Sequence, residues 1–218
     1  MLKDVLRKLN LIGSGKQKLD PAKFNDPLAL TIEWAPASRG GTNFRTHKLV
    51  EMDFSRVEFK ATFVAKFFYS IFFFAGLAFA IGFSFQEKLF ENFKIETIAP
   101  VPFSFVFMVI GFLLYYFGTV PIVFDKGVGY FWKSRKSPQD SPEPGSIKKC
   151  ALLEDIHAIQ LLSEFVRGSK SSYYSYELNL VLKDGKRLTV VDHGNLKHLR
   201  EDAQKLAQFL GVPIWDAI

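Results

Sequence analysis

Four histidines, one cysteine and a scatter of carboxylates are the groups whose types could do chemistry in this 218-residue chain. Asp192, His193 and His198 come together just before a helical pattern. Two histidines grip a metal from one helix when they stand three or four apart on one face. These stand five apart, and His193 precedes the helix. Turn and capping roles suit them better than ligation. His47 and His157 are isolated. Cys150 sits beside Lys148 and Lys149, whose charge can lower a thiol pKa, but as the single cysteine it forms no internal disulfide. Glu154, Asp155 and Glu164 are dispersed and read as a solvated face.

Two phosphate and nucleophile motifs also fail. The GSGK stretch, Gly13 to Lys16, lacks the first glycine of a phosphate loop and carries Gln17 where Ser or Thr belongs. No serine sits in a nucleophile elbow. The expectation is a protein that is not an enzyme and needs no cofactor and no metal.

Binding is what remains. Lys133, Arg135, Lys136, Lys148 and Lys149 bracket a Pro/Ser/Gly loop, Lys136 to Ser146, and are the candidate lipid or partner contacts. Held beside a membrane, they would meet acidic headgroups at high effective concentration. Ordinary topology-setting charge, which needs no further role, explains them better than lipid selectivity does. The net charge of +6 is modest. Nucleic-acid binding needs a clustered basic face with stacking aromatics, and most aromatics here lie in apolar stretches, so no nucleic acid is expected.

Those stretches dictate the architecture. AKFFYSIFFFAGLAFAIGFSF, Ala65 to Phe85, carries one charge, Lys66, and is apolar on every face. A helix of that length crosses roughly 30 Å of hydrocarbon. Thr97 to Phe124 has no charge at all. Two transmembrane helices are expected, about 65–85 and 103–123. Lys66 in the first turn can snorkel to the headgroups. Tyr115, Tyr116, Tyr130 and Trp132 are placed near interfaces. Arg45, Lys48, Arg56 and Lys60 precede the first stretch, and Lys126, Lys133, Arg135 and Lys136 follow the second. The connecting segment has only Lys88 and Lys94 against Glu87, Glu91 and Glu96. Positive charge stays inside, so both termini are expected in the cytoplasm. Gly76/Ala80, Ala78/Gly82, Gly111 and Gly118 would let the two helices, or a homodimer, pack closely. Pro100 and Pro102 mark the start of the second helix, and Pro121 its end or a kink.

Before the first stretch, Leu2, Val5, Leu6 and Leu9 recur at helical spacing among Lys3, Arg7 and Lys8. That is a basic amphipathic segment for the inner leaflet or for the domain itself, and no cleavable leader. From Ala29 the pattern turns β-like: ALTIEW alternates partly, and FRTHKLVEMDFSRVEFKAT is broken at MDFS. After the second stretch, PIVFDKGVGYFWKSRK reads as strand, turn, strand. LLEDIHAIQLLSEFV admits helix or strand. Asp184–Gly185 makes a hairpin turn between β-rich runs. Leu196, Leu199, Ala203, Leu206, Ala207 and Leu210 share one helical face, which Gly211 closes.

An antiparallel sheet capped by a C-terminal helix resembles a pleckstrin-homology-like (PH-like) domain over about Pro121 to Ile218. The strings FDKGVGYFW, LEDIHAIQLLSE, YELNLVLKDGKRLTVVDHG, LAQFLGVPIWD and GGTNFRTHKLV are also similar to an uncharacterised family of bacterial two-span membrane proteins. That resemblance implies no established activity and favours a strand for LEDIHAIQLLSE. The expected fold class is an α+β membrane protein: a transmembrane helical hairpin plus a cytoplasmic antiparallel, PH-like sheet with its helix cap. The segments are 1–24 (basic, amphipathic), 25–61 (β), 62–124 (hairpin) and 125–218 (PH-like). A pleckstrin-like sheet wants about seven strands, and about five are visible after the hairpin. Ala29–Ala61 is therefore expected to supply strands or cover an open edge, because an unpaired edge is a liability. The expected function is a binding module at the bacterial inner membrane, in contact with membrane lipids and a protein partner, as an immunity or assembly factor would be. The alternative is anionic-lipid recognition or envelope sensing through the basic loop.

Overall fold

The computed structural model describes residues 19–38, 40–84, 100–140, 149–168 and 171–218. The expected amphipathic segment Leu2–Leu9, the loop charges Lys88 and Lys94, and Lys148 lie outside these residues. The described chain is α+β, with two β-sheets, a pair of apolar helices and a C-terminal helix.

Strands β1 (His47–Glu51) and β2 (Arg56–Ala61) precede the apolar helices α2 (Phe63–Ser84) and α3 (Pro100–Gly118). Strands β3 (Ile122–Asp125), β4 (Tyr130–Lys133) and β5 (Cys150–Leu152) follow them. All five form one antiparallel sheet in the order β1-β2-β3-β4-β5, with Phe59 opposite Ile122. The helix pair is thus an insertion between two hydrogen-bonded strands of one sheet. The second sheet has the order β8-β7-β6-β9. It comprises β6 (Ile156–Arg167), β7 (Ser172–Leu182), β8 (Arg187–His193) and β9 (Ile214–Asp216), the last parallel to β6. Seven strands follow the apolar helices, against the five expected: the short β5 and β9 carry too few residues to show an alternation.

The core lies between the sheets. Phe59, Ile122, Phe124 and Phe131 meet Ile159, Leu161, Leu178 and Leu180 there. Helix α4 (Leu196–Leu210) adds Leu199, Ala203 and Leu206 from one stripe. Asn195 caps α4 by accepting from His198 N at 3.1 Å, and Gly211 ends it at φ 75°, the left-handed conformation that glycine adopts without strain.

Three boundaries are decided by the structure, two of them against expectation and one, the second, as the resemblance favours. ALTIEW is not a strand: Pro27–Thr31 is a short helix, α1, because Asp26 caps it through Leu28 N at 2.9 Å and Pro27 occupies its first turn. Its Ala29 packs with Ala158, Val181 and Trp215 on the outer face of the second sheet. Second, LLEDIHAIQLLSEFV yields a strand, β6, after a single 3-10 turn at Leu153–Asp155. Third, the second apolar helix runs from Pro100 to Gly118 and not to Val123. Pro121 cannot continue it, and Ile122 and Val123 already pair with Phe59 and Glu58 in the sheet.

Helices α2 and α3 pack antiparallel. Phe79 meets Phe103, Phe72 meets Phe107, and a side chain at Gly76 would strike Ser104 and Met108. One at Gly111 would strike the Phe73 backbone, and one at Gly118 the Tyr69 ring. Gly82, by contrast, faces open space. Outward, Phe67, Phe74, Phe112 and Phe117 are all exposed. Phe63–Phe83 is long and apolar enough to cross a membrane by length and composition, whereas the apolar helix Pro102–Gly118 is shorter than that measure.

Candidate functional site

The junction between helices and sheet is built without slack. Thr62 is the single residue between β2 and α2. Its carbonyl accepts from Lys66 N at 3.0 Å, and its hydroxyl accepts from Ala65 N at 3.2 Å while donating to Arg45 O at 2.8 Å. Arg45 in turn pairs with the buried Asp202 of α4 at 2.6 Å. On the other side, Arg135 Nη2 donates to Tyr116 O at 2.7 Å and to Thr119 Oγ1 at 2.9 Å, with its guanidinium 4.8 Å from the Tyr116 ring. These bonds satisfy a carbonyl of the last turn of α3, and the positive charge suits a helix C-terminus.

The basic group expected from sequence is therefore divided in its tasks. Arg135 clasps α3. Lys149 Nζ donates to Thr189 O of β8 at 3.1 Å. Lys133 is half-buried, and burial, with Lys149 nearby, holds its ammonium down to about 8. Lys136 alone of the described four is exposed without such an engagement.

Of the residues expected at interfaces, Lys66 is exposed in the first turn of α2. Trp132 is only 3% exposed and lies under the Arg56 guanidinium, 5.7 Å away. Tyr130 is half-buried opposite Asp125, at the end of β4 remote from the helices. Phe131 between them faces the core, so Trp132 and Tyr130 share the opposite face of the first sheet.

The four histidines serve structure. His157 Nε2 lies 2.7 Å from Asp26 Oδ2, tying β6 to the cap of α1. His198 Nδ1 meets Asn195 Oδ1 at 2.8 Å. His193 is fully buried, accepts from Asn195 N at 3.3 Å, and is held down to about 4 by burial and by Arg45. His47 is lowered to about 4 by burial, Lys133 and His193. Among the described residues no three His, Cys, Asp or Glu side chains gather as a metal site requires. Burial raises the Cys150 thiol, opposing the activation that its lysine neighbours suggest.

Two features escape sequence reading. Residues 33–38 and 40–43 cross the outer face of the second sheet as a strap. Buried Glu177 accepts from Ala37 N at 2.9 Å, Ser38 N at 3.1 Å and Thr189 Oγ1 at 2.8 Å. Glu164 accepts from Gly40 N at 2.8 Å. Asp192, bonded to Ser175, lies so close to Gly41 that a side chain there would collide. Burial raises the Asp192 carboxyl to about 6 against the Ser175 bond, with Glu177 and Glu164 adding to the rise. No periodicity encodes carboxylates that receive a distant backbone.

The other feature is a groove at the end of the domain remote from the helices. It encloses about 320 Å³ between the β1–β2 turn and the C-terminal end of α4, lined among others by Leu49, Phe54, Val57, Lys126, Lys205 and Phe209. Asp53 Oδ1 accepts from both Ser55 N and Ser55 Oγ at 2.7 Å, fixing the turn that carries Phe54. Phe54 is 94% exposed. Its one sequence signal is a phenylalanine inside the MDFS turn. No family model, no curated protein and no solved structure matches this chain.

Proposed function

We propose that this protein is a non-enzymatic membrane-anchored binding module, whose groove at Phe54 engages a protein partner on the cytoplasmic side of a bacterial inner membrane. The observation that carries the reading is the apolar helix pair, ringed by exposed phenylalanines and joined to the sheet through Thr62 and Arg135. Exposed apolar surface on that scale needs a solvent other than water. α3, 19 residues long, packs antiparallel along α2, which supports reading the pair as a two-span hairpin. The two sheets and the core-filling α4 support the PH-like reading of the domain.

Groove position favours a protein partner over lipid. β2 separates Phe54 from the helices by six residues, about 20 Å of strand. That distance, not composition, makes exposed Phe54 beside Lys126 and Lys205 an anchor for a protein partner. Lipid recognition by the basic loop fits less well, since Arg135 and Lys149 already hold protein carbonyls. An immunity or assembly factor is the class of role this describes.

The test is photo-crosslinking in native membranes from a reactive residue at position 54, with a second at exposed Lys136. One protein captured from 54, resistant to alkaline extraction of the membrane and lost with Phe209→Ser, supports the reading. Capture from 136 alone, or of anionic lipid alone, would transfer the function to the basic loop. Release of the chain itself by alkaline extraction would reject the anchor.

A further inference from the structure

β6 and β7 outrun their neighbours. β8 pairs with β7 no further than Tyr176, and β9 pairs with β6 only at Ile159–Leu161. Glu164–Arg167 and Ser172–Ser175 therefore stand as a two-stranded ribbon of four cross-strand pairs, about 13 Å long.

Contacts at both ends fix its direction. The opposite ends of β6 and β7 lie remote from the helices, where Lys183 N donates to Asp155 O and Leu153 N to Gly129 O, both at 2.9 Å. Gly129 belongs to the β3–β4 turn. The ribbon end meets the helix junction: Thr42 bridges to His193, the partner of Tyr176, and two residues later the Phe44 ring lies 5.6 Å from Phe68 of α2. The ribbon projects toward the level at which the helices leave the domain.

Its two faces differ. Tyr173 faces the strap, donating to Gly41 O at 2.7 Å. Phe165 and Tyr174, cross-strand partners with rings 5.1 Å apart, fall on the face that Leu161 and Leu178 present to the core. Past the end of the core this face stays aromatic, with Phe165 48% and Tyr174 46% exposed. Arg167 shares it and is exposed. The core side of the sheet thus continues, half-exposed, on the side where α2 and α3 run.

We infer that the β6–β7 ribbon rests on the bilayer surface as a second membrane contact, with Phe165 and Tyr174 in the headgroup region and Arg167 toward lipid phosphate. The inference depends on α2 and α3 being spans. A tyrosine, with its polar edge, settles at that depth, an apolar ring beside it such as Phe165 reaches the acyl boundary, and a guanidinium binds phosphate through its planar fork. A contact beside the hairpin fixes the tilt of the domain, which holds the Phe54 groove away from lipid.

The test uses the full chain in vesicles of phosphatidylcholine and phosphatidylglycerol, part of the phosphatidylcholine bearing a nitroxide high on its acyl chain. In a Cys150→Ser background, an environment-sensitive fluorophore is placed by Phe165→Cys, by Tyr174→Cys, by Phe67→Cys in α2 and by Asp184→Cys in the remote β7–β8 turn. The expected result is quenching at 165 and 174 several-fold above that at 184 and comparable to that at 67. Quenching at 67 with none at 165 and 174 overturns the ribbon contact and leaves the spans intact. Absence at 67 as well overturns the spanning reading and the ribbon contact with it. Crosslinks between the 174 positions of two copies, without quenching, overturn it in favour of a self-association surface.

Discussion

The guanidinium of Arg135 donates to the carbonyl of Tyr116 at 2.7 Å, so a residue that sequence alone offers to lipid is spent on the end of a helix. Arg135→Gln should loosen the last turn of α3 by about 1 kcal/mol, the scale of an exposed charge-assisted bond at a helix terminus. Faster amide exchange at Thr119 and Val120, with exchange in β6 and β7 unchanged, is the expected outcome. An unaltered Thr119 would mean that Pro121 and the sheet alone define that end.

Glu177 carries the strap. It is 2% exposed and takes three donors, two of them backbone N–H groups of residues 37 and 38. Glu177→Ala should cost about 2–3 kcal/mol, because buried donors are left without acceptors. Denaturant titration measures the cost, and limited proteolysis should cut the strap before the core. Glu177→Gln retains one acceptor oxygen and should fall between wild type and Ala.

How far the sequence announces this molecule depends on how local the cause is. The apolar helices, the Asp184–Gly185 turn and the α4 stripe with Gly211 are written in neighbouring residues. α1 is equally local, since Asp26 and Pro27 are start signals, yet a partial alternation in ALTIEW outweighs them when read alone. The strap lies beyond such reading: Ala37 and Glu177 are 140 residues apart. The same holds for the basic loop, whose residue types are visible but whose partners, Tyr116 O and Thr189 O, are set by tertiary packing.

Helix packing offers a paired prediction. A side chain at Gly111 meets the Phe73 backbone, while one at Gly82 meets nothing. Gly111→Val should force the helices apart at a cost of roughly 1–3 kcal/mol, and Gly82→Val should leave the packing unchanged. Disulfide trapping between cysteines at Phe72 and Phe107, whose rings lie 6.3 Å apart, reads the separation. Equal trapping in both variants would place the close approach elsewhere.

Two buried histidines set the pH dependence. His47 and His193 fall from the usual 6.5 to about 4, the first through burial, Lys133 and His193, the second through burial, Arg45 and His198. Each binds its proton more readily unfolded. Their neutral forms give full stability above 6.5, and that stability is lost as pH falls toward 4. Asp192 works in the opposite sense, since a carboxyl raised to about 6 takes up its proton in the folded chain first. Two histidines outweigh one aspartate, so the domain should lose stability on acidification through this window. His193→Asn, whose side-chain oxygen can still accept from Asn195 N, should reduce the slope by about 1.4 kcal/mol per pH unit. Thermal unfolding at several pH values between 4 and 7 measures it, and a variant slope equal to wild type would assign the titration to other groups.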